Sequence, residues 1–123
     1  MLDQVTPEMQ VACEEIFGPV AVVLRAENDD DALRIANATE YGLQFGVFTE
    51  SLRSALAFSE ELEAGSIVVN RSSNFRLDSF IYGGIKESGV GREDPASTVL
   101  ALSEEHFVVL GDREAGRGRL GDA

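Results

Sequence analysis

After Pro19 the chain alternates between two hydrophobic periods. Val20–Leu24, "VAVVL", is a continuous apolar run rich in valine, the pattern of a strand buried on both faces. "NDDDALRIANATEYG" follows, in which Asn28 or Asp29 can cap a helix and acids fill its first turn. Gly42 can close that helix in the left-handed conformation, and Ala32, Ile35, Ala36 and Thr39 form its predicted inward stripe. Residues 43–50, "LQFGVFTE", return to strand chemistry. "SLRSALAFSEELEAG" then places Leu52, Ala55, Leu56, Ser59 and Leu62 at helical spacing, with Gly65 as the stop. Residues 66–70, "SIVVN", read as a third buried strand.

Strand, helix, strand, helix, strand with short connections is two overlapping βαβ units, which impose a parallel sheet covered by helices. The predicted class is therefore α/β. From Arg71 to Asp94 the periodicity disappears into "RSSNFRLDSFIYGGIKESGVGRED", long for a connection in a compact domain and of the kind that carries function or moves. A short helix at about 96–105 and a last strand, "HFVVL" (106–110), complete the predicted order. Residues 111–123 have almost nothing to bury and are expected to be disordered.

A length of 123 residues leaves room for one ordinary core. The composition, 44% hydrophobic and 26% charged, is globular. The net charge of −12 argues against nucleic acid and anionic membranes as partners, since both are polyanions. Three arginines in the tail are offset by Asp112, Glu114 and Asp122, so no basic patch reverses this. The longest apolar run is far too short to span a bilayer, and the first 20 residues carry acids without Lys or Arg, unlike a targeting peptide. One cysteine cannot form an intramolecular disulfide, and a soluble, cytoplasmic protein is expected.

Cys13 stands directly before Glu14 and Glu15. A nucleophilic cysteine needs a cation, a helix N-terminus or a histidine to lower its pKa, whereas two carboxylates disfavour the thiolate. The only histidine, His106, is distant in sequence, so Cys13 reads as a packing residue and His106 as a strand-edge residue. With one Cys and one His there is no metal-ligand cluster. Gly83, Gly84, Gly89 and Gly91 match neither a dinucleotide fingerprint nor a P-loop, and leave a loop that permits close backbone approach.

Four stretches stand in a fixed order: "EEIFGPV" (14–20), "ANATEYGLQFGVFT" (36–49), "AGSIVVN" (64–70) and "YGGIKESGVGRE" (82–93). Together they resemble the C-terminal portion of the aldehyde dehydrogenase superfamily, over about Glu14 to Leu110. That family oxidises aldehydes to carboxylic acids with NAD or NADP, through a cysteine thiohemiacetal, hydride transfer and thioester hydrolysis. The resemblance implies an arrangement of four parts: a lead-in (1–13), the C-terminal part of a catalytic domain (14–105), an oligomerisation strand (106–110) and a tail (111–123).

The resemblance also implies roles. Glu15 matches the carboxylate that holds the nicotinamide ribose hydroxyls, a task suited to an acceptor of two vicinal O–H groups. Phe17 matches a residue that packs near the nicotinamide. Phe75 and Tyr82 match aromatics around the aldehyde entrance, and Arg76 is placed to meet an anionic substrate group. The plain alternatives are a solvated acid at Glu15 and a solvated loop arginine at Arg76. Ile81 and Asp94–Pro95 depart from the family pattern. The nucleophilic cysteine, the general base and the Rossmann-type domain precede the first motif in the family, so they are expected to be missing and the isolated chain to be inactive. Three readings stay open: a segment of an oxidoreductase, a non-catalytic assembly module that self-associates or pairs with a full-length aldehyde dehydrogenase, and an isolated folding unit.

Overall fold

A computed structural model describes residues 1–111. The elements run α1 (Gln10–Cys13), α2 (Asp29–Asn37), β1 (Tyr41–Gly42), β2 (Gln44–Val47), α3 (Leu52–Glu61), β3 (Ser66–Val69), β4 (Ile85–Lys86) and α4 (Pro95–Ala101). β2 and β3 pair in parallel, with Gln44 opposite Ser66 and Val47 opposite Val69, and α3 crosses between them. One of the two predicted βαβ units is therefore formed as read. No described helix is long and apolar enough to cross a membrane.

Both longer helices start where their caps dictate. The Asn28 side chain accepts from the Asp31 N–H at 2.9 Å, and the Ser51 hydroxyl accepts from the Ser54 N–H at 3.2 Å. The ends differ from expectation. α2 stops at Asn37 and Gly42 belongs to β1, while α3 stops at Glu61, short of Gly65. A polar knot replaces the glycine stops. The Asn37 side chain donates to the Glu61 carbonyl at 2.8 Å and accepts from the Glu63 N–H at 2.9 Å. Lys86 Nζ donates to the carbonyls of Asn37 and Thr39 at 2.9 and 3.2 Å and pairs with Glu63 at 2.6 Å. Carbonyls that a helix leaves unpaired at its C-terminus are thus taken by side chains from elsewhere in the chain.

The inward faces also differ. Leu33, outside the predicted stripe of α2, is 6% exposed and one of three buried hydrophobic side chains among the described residues, with Val5 and Leu62. On α3, Leu52 and Leu56 are exposed, and the covered positions are Ser54, Ala55, Ala57 and Phe58. The predicted Ala32, Ile35, Ala36 and Thr39 are half-buried as well, so α2 is covered over a wider arc than a single stripe. Here Phe45 and Val47 of β2 share a cleft wall with Ala32, Ala36, Phe58 and Leu62.

Three predicted elements are corrected. Residues 20–24 form no strand; Val22 makes a single parallel bridge with Leu2, through Leu2 N–H to Ala21 at 2.7 Å and Val23 N–H to Leu2 at 2.8 Å. Pairing stops there because Gln4 adopts φ 59°, which turns the N-terminal segment out of the extended conformation. Residues 1–13 are accordingly more than a lead-in: they hold α1, the bridge and buried Val5. Residues 106–110, expected as an oligomerisation strand, are irregular and exposed, because no strand among the described residues lies beside them. His106 is therefore not at a strand edge. The last helix spans Pro95–Ala101 rather than 96–105, and Asp94 caps it. The tail expected to be disordered lies, from Asp112 on, outside the described residues.

Candidate functional site

The two faces of β2 alternate, as a strand requires. Phe45 and Val47 face the helices; Gln44 and Gly46 face the segment that follows β3. A Cβ on Gly46 would come within 2.7 Å of the Arg71 carbonyl oxygen, so the chain after β3 lies directly on that face. Gln44 fastens it there, donating through Nε2 to the Phe75 carbonyl at 2.7 Å.

The long segment from Arg71 to Asp94 is aperiodic but tied down at several points. β4 pairs antiparallel with β1, placing Tyr41 opposite Lys86 and Gly42 opposite Ile85. Tyr82 and Glu93 exchange backbone hydrogen bonds of 3.1 and 2.6 Å. Arg92 donates to the carbonyls of Gly84 and Gly91, and the Ser88 hydroxyl accepts from the Gly42 N–H. Of the four loop glycines, Gly83 and Gly84 serve the expected close approach, whereas a Cβ on Gly91 would stand in open space and one on Gly89 would touch only the Gly84 nitrogen, at 4.0 Å. A side chain on Gly65 would collide with the Gly83 carbonyl, and Gly83 itself sits at φ 150°.

This scaffold brings Phe75, Arg76 and Tyr82 to one open cavity of about 410 Å³, lined also by Gln44, by β3 and by Leu77, Phe80 and Ile81. The Arg76 guanidinium lies over the Tyr82 ring at 4.5 Å and donates to the Glu93 carboxylate at 3.1 Å. Asp78 is 3.9 Å away and fully exposed. Arg71 in turn stacks on Phe75 at 4.9 Å. An aromatic and aliphatic wall with one guanidinium suits an organic group that carries a negative charge at one end.

Glu15 lies elsewhere, at a second cleft of about 480 Å³ lined by Tyr41, Gly42, Gln44, Glu87 and Ser88. Gln44 is the wall common to both clefts. The neighbouring acids are not equivalent. Glu14 accepts from Gln10 Nε2 with both oxygens at 2.9 Å, whereas the Glu15 carboxylate has no hydrogen-bond partner among the described residues. An exposed, unengaged carboxylate at the mouth of a cleft fits a ligand that offers two hydroxyls. Phe17 is 95% exposed and lines neither cleft.

Cys13, expected to pack inside, is exposed, and its thiol donates to the Pro7 carbonyl at 3.1 Å. The four-residue α1 ends on it, leaving it at the rim of a third cleft with Leu24 and Ile35. Sequence reasoning missed Gln44 and Glu93. A glutamine inside an otherwise apolar strand was the available signal for the first. Nothing local marked the second, since its partner is 17 residues away.

Residues 1–108 match the sequence model of the aldehyde dehydrogenase family, so the match begins ahead of the first motif rather than at Glu14. A 3-sulfolactaldehyde dehydrogenase of Priestia aryabhattai is 36% identical over 110 residues, covering 89% of this chain and 23% of the relative. A lactaldehyde dehydrogenase of Methanococcus vannielii is 44% identical over 96 residues, 78% of this chain and 21% of the relative. Among solved structures, a mutant indole-3-acetaldehyde dehydrogenase of P. syringae in complex with NAD+ and IAA superposes with a TM-score of 0.73 at 40% identity, over 77% of this chain and 19% of that one. The chain thus spans about a fifth to a quarter of the length of these relatives.

Proposed function

This chain belongs to the aldehyde dehydrogenase family, and from that premise we propose that it supplies two walls of an NAD(P)-dependent aldehyde-oxidising site. Phe75, Arg76 and Tyr82 form the wall that receives the aldehyde; Glu15 forms the wall that receives the nicotinamide end of the cofactor, and Phe17, two residues on and exposed outside both clefts, is the side chain free to meet that ring. The observation that carries this reading is the convergence of Phe75, Arg76 and Tyr82 on one cavity. The adjoining cleft, with its unengaged carboxylate, supports the second wall.

A bound NAD(P) would supply the hydride acceptor for aldehyde oxidation, and Glu15 is the residue of this chain that would hold it. The work of this chain is to hold and orient. Glu15 accepts from the two ribose hydroxyls, which fixes the ribose and with it the ring it carries. The aromatic wall excludes water from one side of the substrate, and Arg76 draws an anionic substituent toward the part of the cavity that it lines. A sulfonated aldehyde, as named for the Priestia relative, fits that placement; the neutral substrate named for the Methanococcus relative would use the apolar wall alone.

The chain by itself does not oxidise aldehydes in this reading. The described residues offer no activated nucleophile: Cys13 is followed by two acids and its thiol is engaged by the Pro7 carbonyl. Incubation of the chain with NAD+ and sulfolactaldehyde should give no NADH. For the cofactor wall, NAD+ titrated into the labelled chain should shift the amide signals of Glu15 and Phe17 specifically. Glu15→Gln should weaken that response about tenfold, the scale of a lost charge-assisted hydrogen bond. An unchanged response in Glu15→Gln would remove Glu15 from the site.

A second reading, an assembly module that self-associates or pairs with a longer aldehyde dehydrogenase, is favoured by the exposure of residues 106–110. Phe107 is 89% and Leu110 93% exposed, and such a segment can add to a sheet edge.

A further inference from the structure

The guanidinium that would greet an anionic substrate already has an anion on it. Arg76 Nη2 donates to the Glu93 carboxylate at 3.1 Å. That carboxylate is not delivered by a free side chain on a loose loop. Glu93 and Tyr82 are locked as a backbone pair at 3.1 and 2.6 Å, and Tyr82 provides the ring on which the same guanidinium lies. One bridge thus fixes both the platform under Arg76 and the carboxylate at its edge. Asp78, 3.9 Å from Nε and fully exposed, adds a weaker negative charge. Two carboxylates thus stand within 4 Å of the guanidinium, so an arriving anion meets a group whose attraction is already offset.

We propose that Glu93 sets how strongly the Phe75–Arg76–Tyr82 cavity takes an anion, because its carboxylate is the resident occupant of Arg76 that a substrate carboxylate or sulfonate must displace. The proposal rests on the reading of Arg76 as the anion-facing residue of the aldehyde wall, and makes Glu93 a specificity-determining residue of that wall. The side-chain amide of glutamine keeps an oxygen that accepts from Arg76 and leaves the Tyr82–Glu93 backbone pair intact, but removes the charge. Stacking on Tyr82 keeps the guanidinium in place in either case. Losing one negative charge a few ångströms from the bound anion should therefore tighten anion binding about fivefold, the scale of such an interaction in water. A neutral ligand should feel no change.

The test is titration of the 123-residue chain with methanesulfonate, and with uncharged dimethyl sulfone as control, at constant ionic strength, reading the amide signals of residues 75–82. Glu93→Gln should bind methanesulfonate about fivefold tighter than the parent chain, with the sulfone response unchanged, and adding Arg76→Ala to it should abolish the gain. If Arg76→Ala removes binding while Glu93→Gln leaves it equal or weaker, Glu93 merely positions Arg76 and the proposal is overturned, although the anion-facing reading of Arg76 survives. If methanesulfonate moves none of these signals in the parent chain or in Glu93→Gln, Arg76 does not face an anion and both fall together. The dispersed amide spectrum of each variant, compared with the parent, separates loss of binding from loss of fold.

Discussion

Gly65 lies so close to the Gly83 carbonyl that no side chain fits between them, and Gly83 sits at a φ of 150° that few L residues adopt. Gly65→Ala should therefore destabilise the chain by about 1–3 kcal/mol, the range for forcing atoms into a filled contact, seen as a lower urea midpoint. Leu33→Ala should cost about 2–5 kcal/mol by the same measurement, since Leu33 is one of the few buried side chains. The glycines were legible as a loop of close approach, which holds at Gly83 and Gly84, but their partners were not. Leu33 was missed because a stripe of 3.6-residue period assumes one covered face. α2 is met from more than one side: its Ala32 and Ala36 border the cleft shared with β2 and α3, while Ile35 and Ala36 border another with Pro7, Ala12 and Cys13. Glu15 was separable from Glu14 only by the motif; in three dimensions the bond from Gln10 to Glu14 separates them physically.

Helix ends show where local rules hold and where they yield. Asn28→Ala should cost about 1 kcal/mol through the lost N-cap of α2, detected as faster amide exchange in that helix. At α4 the cap is Asp94, whose side chain accepts from the Ala96 and Ser97 N–H groups at 2.9 and 3.0 Å. The hydroxyl and N–H of Ser97, and then the Ala96 N–H, hold its carboxyl below the ordinary carboxylate range. A folded-state pKa lower than the unfolded one means that the unfolded chain binds the proton more readily. The contribution of the cap is thus fully present above the ordinary Asp value of about 4 and lost as pH falls through the folded value. Amide exchange in α4 should accelerate over that acidic window, and Asp94→Asn, which caps without titrating, should flatten the dependence. The C-terminal ends obey tertiary contacts instead. Lys86→Met should loosen α2 and α3 together, by about 1.5–3 kcal/mol, because one ammonium serves Asn37, Thr39 and Glu63. No helix-end rule could have named Lys86, which lies 49 residues from Asn37.

Over the described residues as a whole, apolar surface is abundant and buried side chains few. Phe48, Leu52, Leu56, Val99, Leu100 and Leu102 are exposed, as is the run from Phe107 to Leu110. Surface of this kind favours association, so sedimentation should show oligomers or a concentration-dependent mass, and a single monomeric species across concentrations would count against the assembly reading. By itself the sequence determined the class, α/β, and the succession α2, β2, α3, β3, though not the short β1, because hydrophobic period and N-cap chemistry are local. It also identified the family, because four motifs in one order are a linear signal. Tertiary structure alone decided the rest. Whether Val20–Leu24 became a strand depended on a neighbour, and Gln4 withdrew the one it had. Whether 106–110 became a strand depended on a partner that the described residues do not contain. That Phe75, Arg76 and Tyr82 share a cavity, with Glu93 on the arginine and Gln44 between two clefts, follows from where β2, β3 and the bridged loop meet. Those positions are set by backbone pairing between residues far apart in the chain, which no local periodicity encodes.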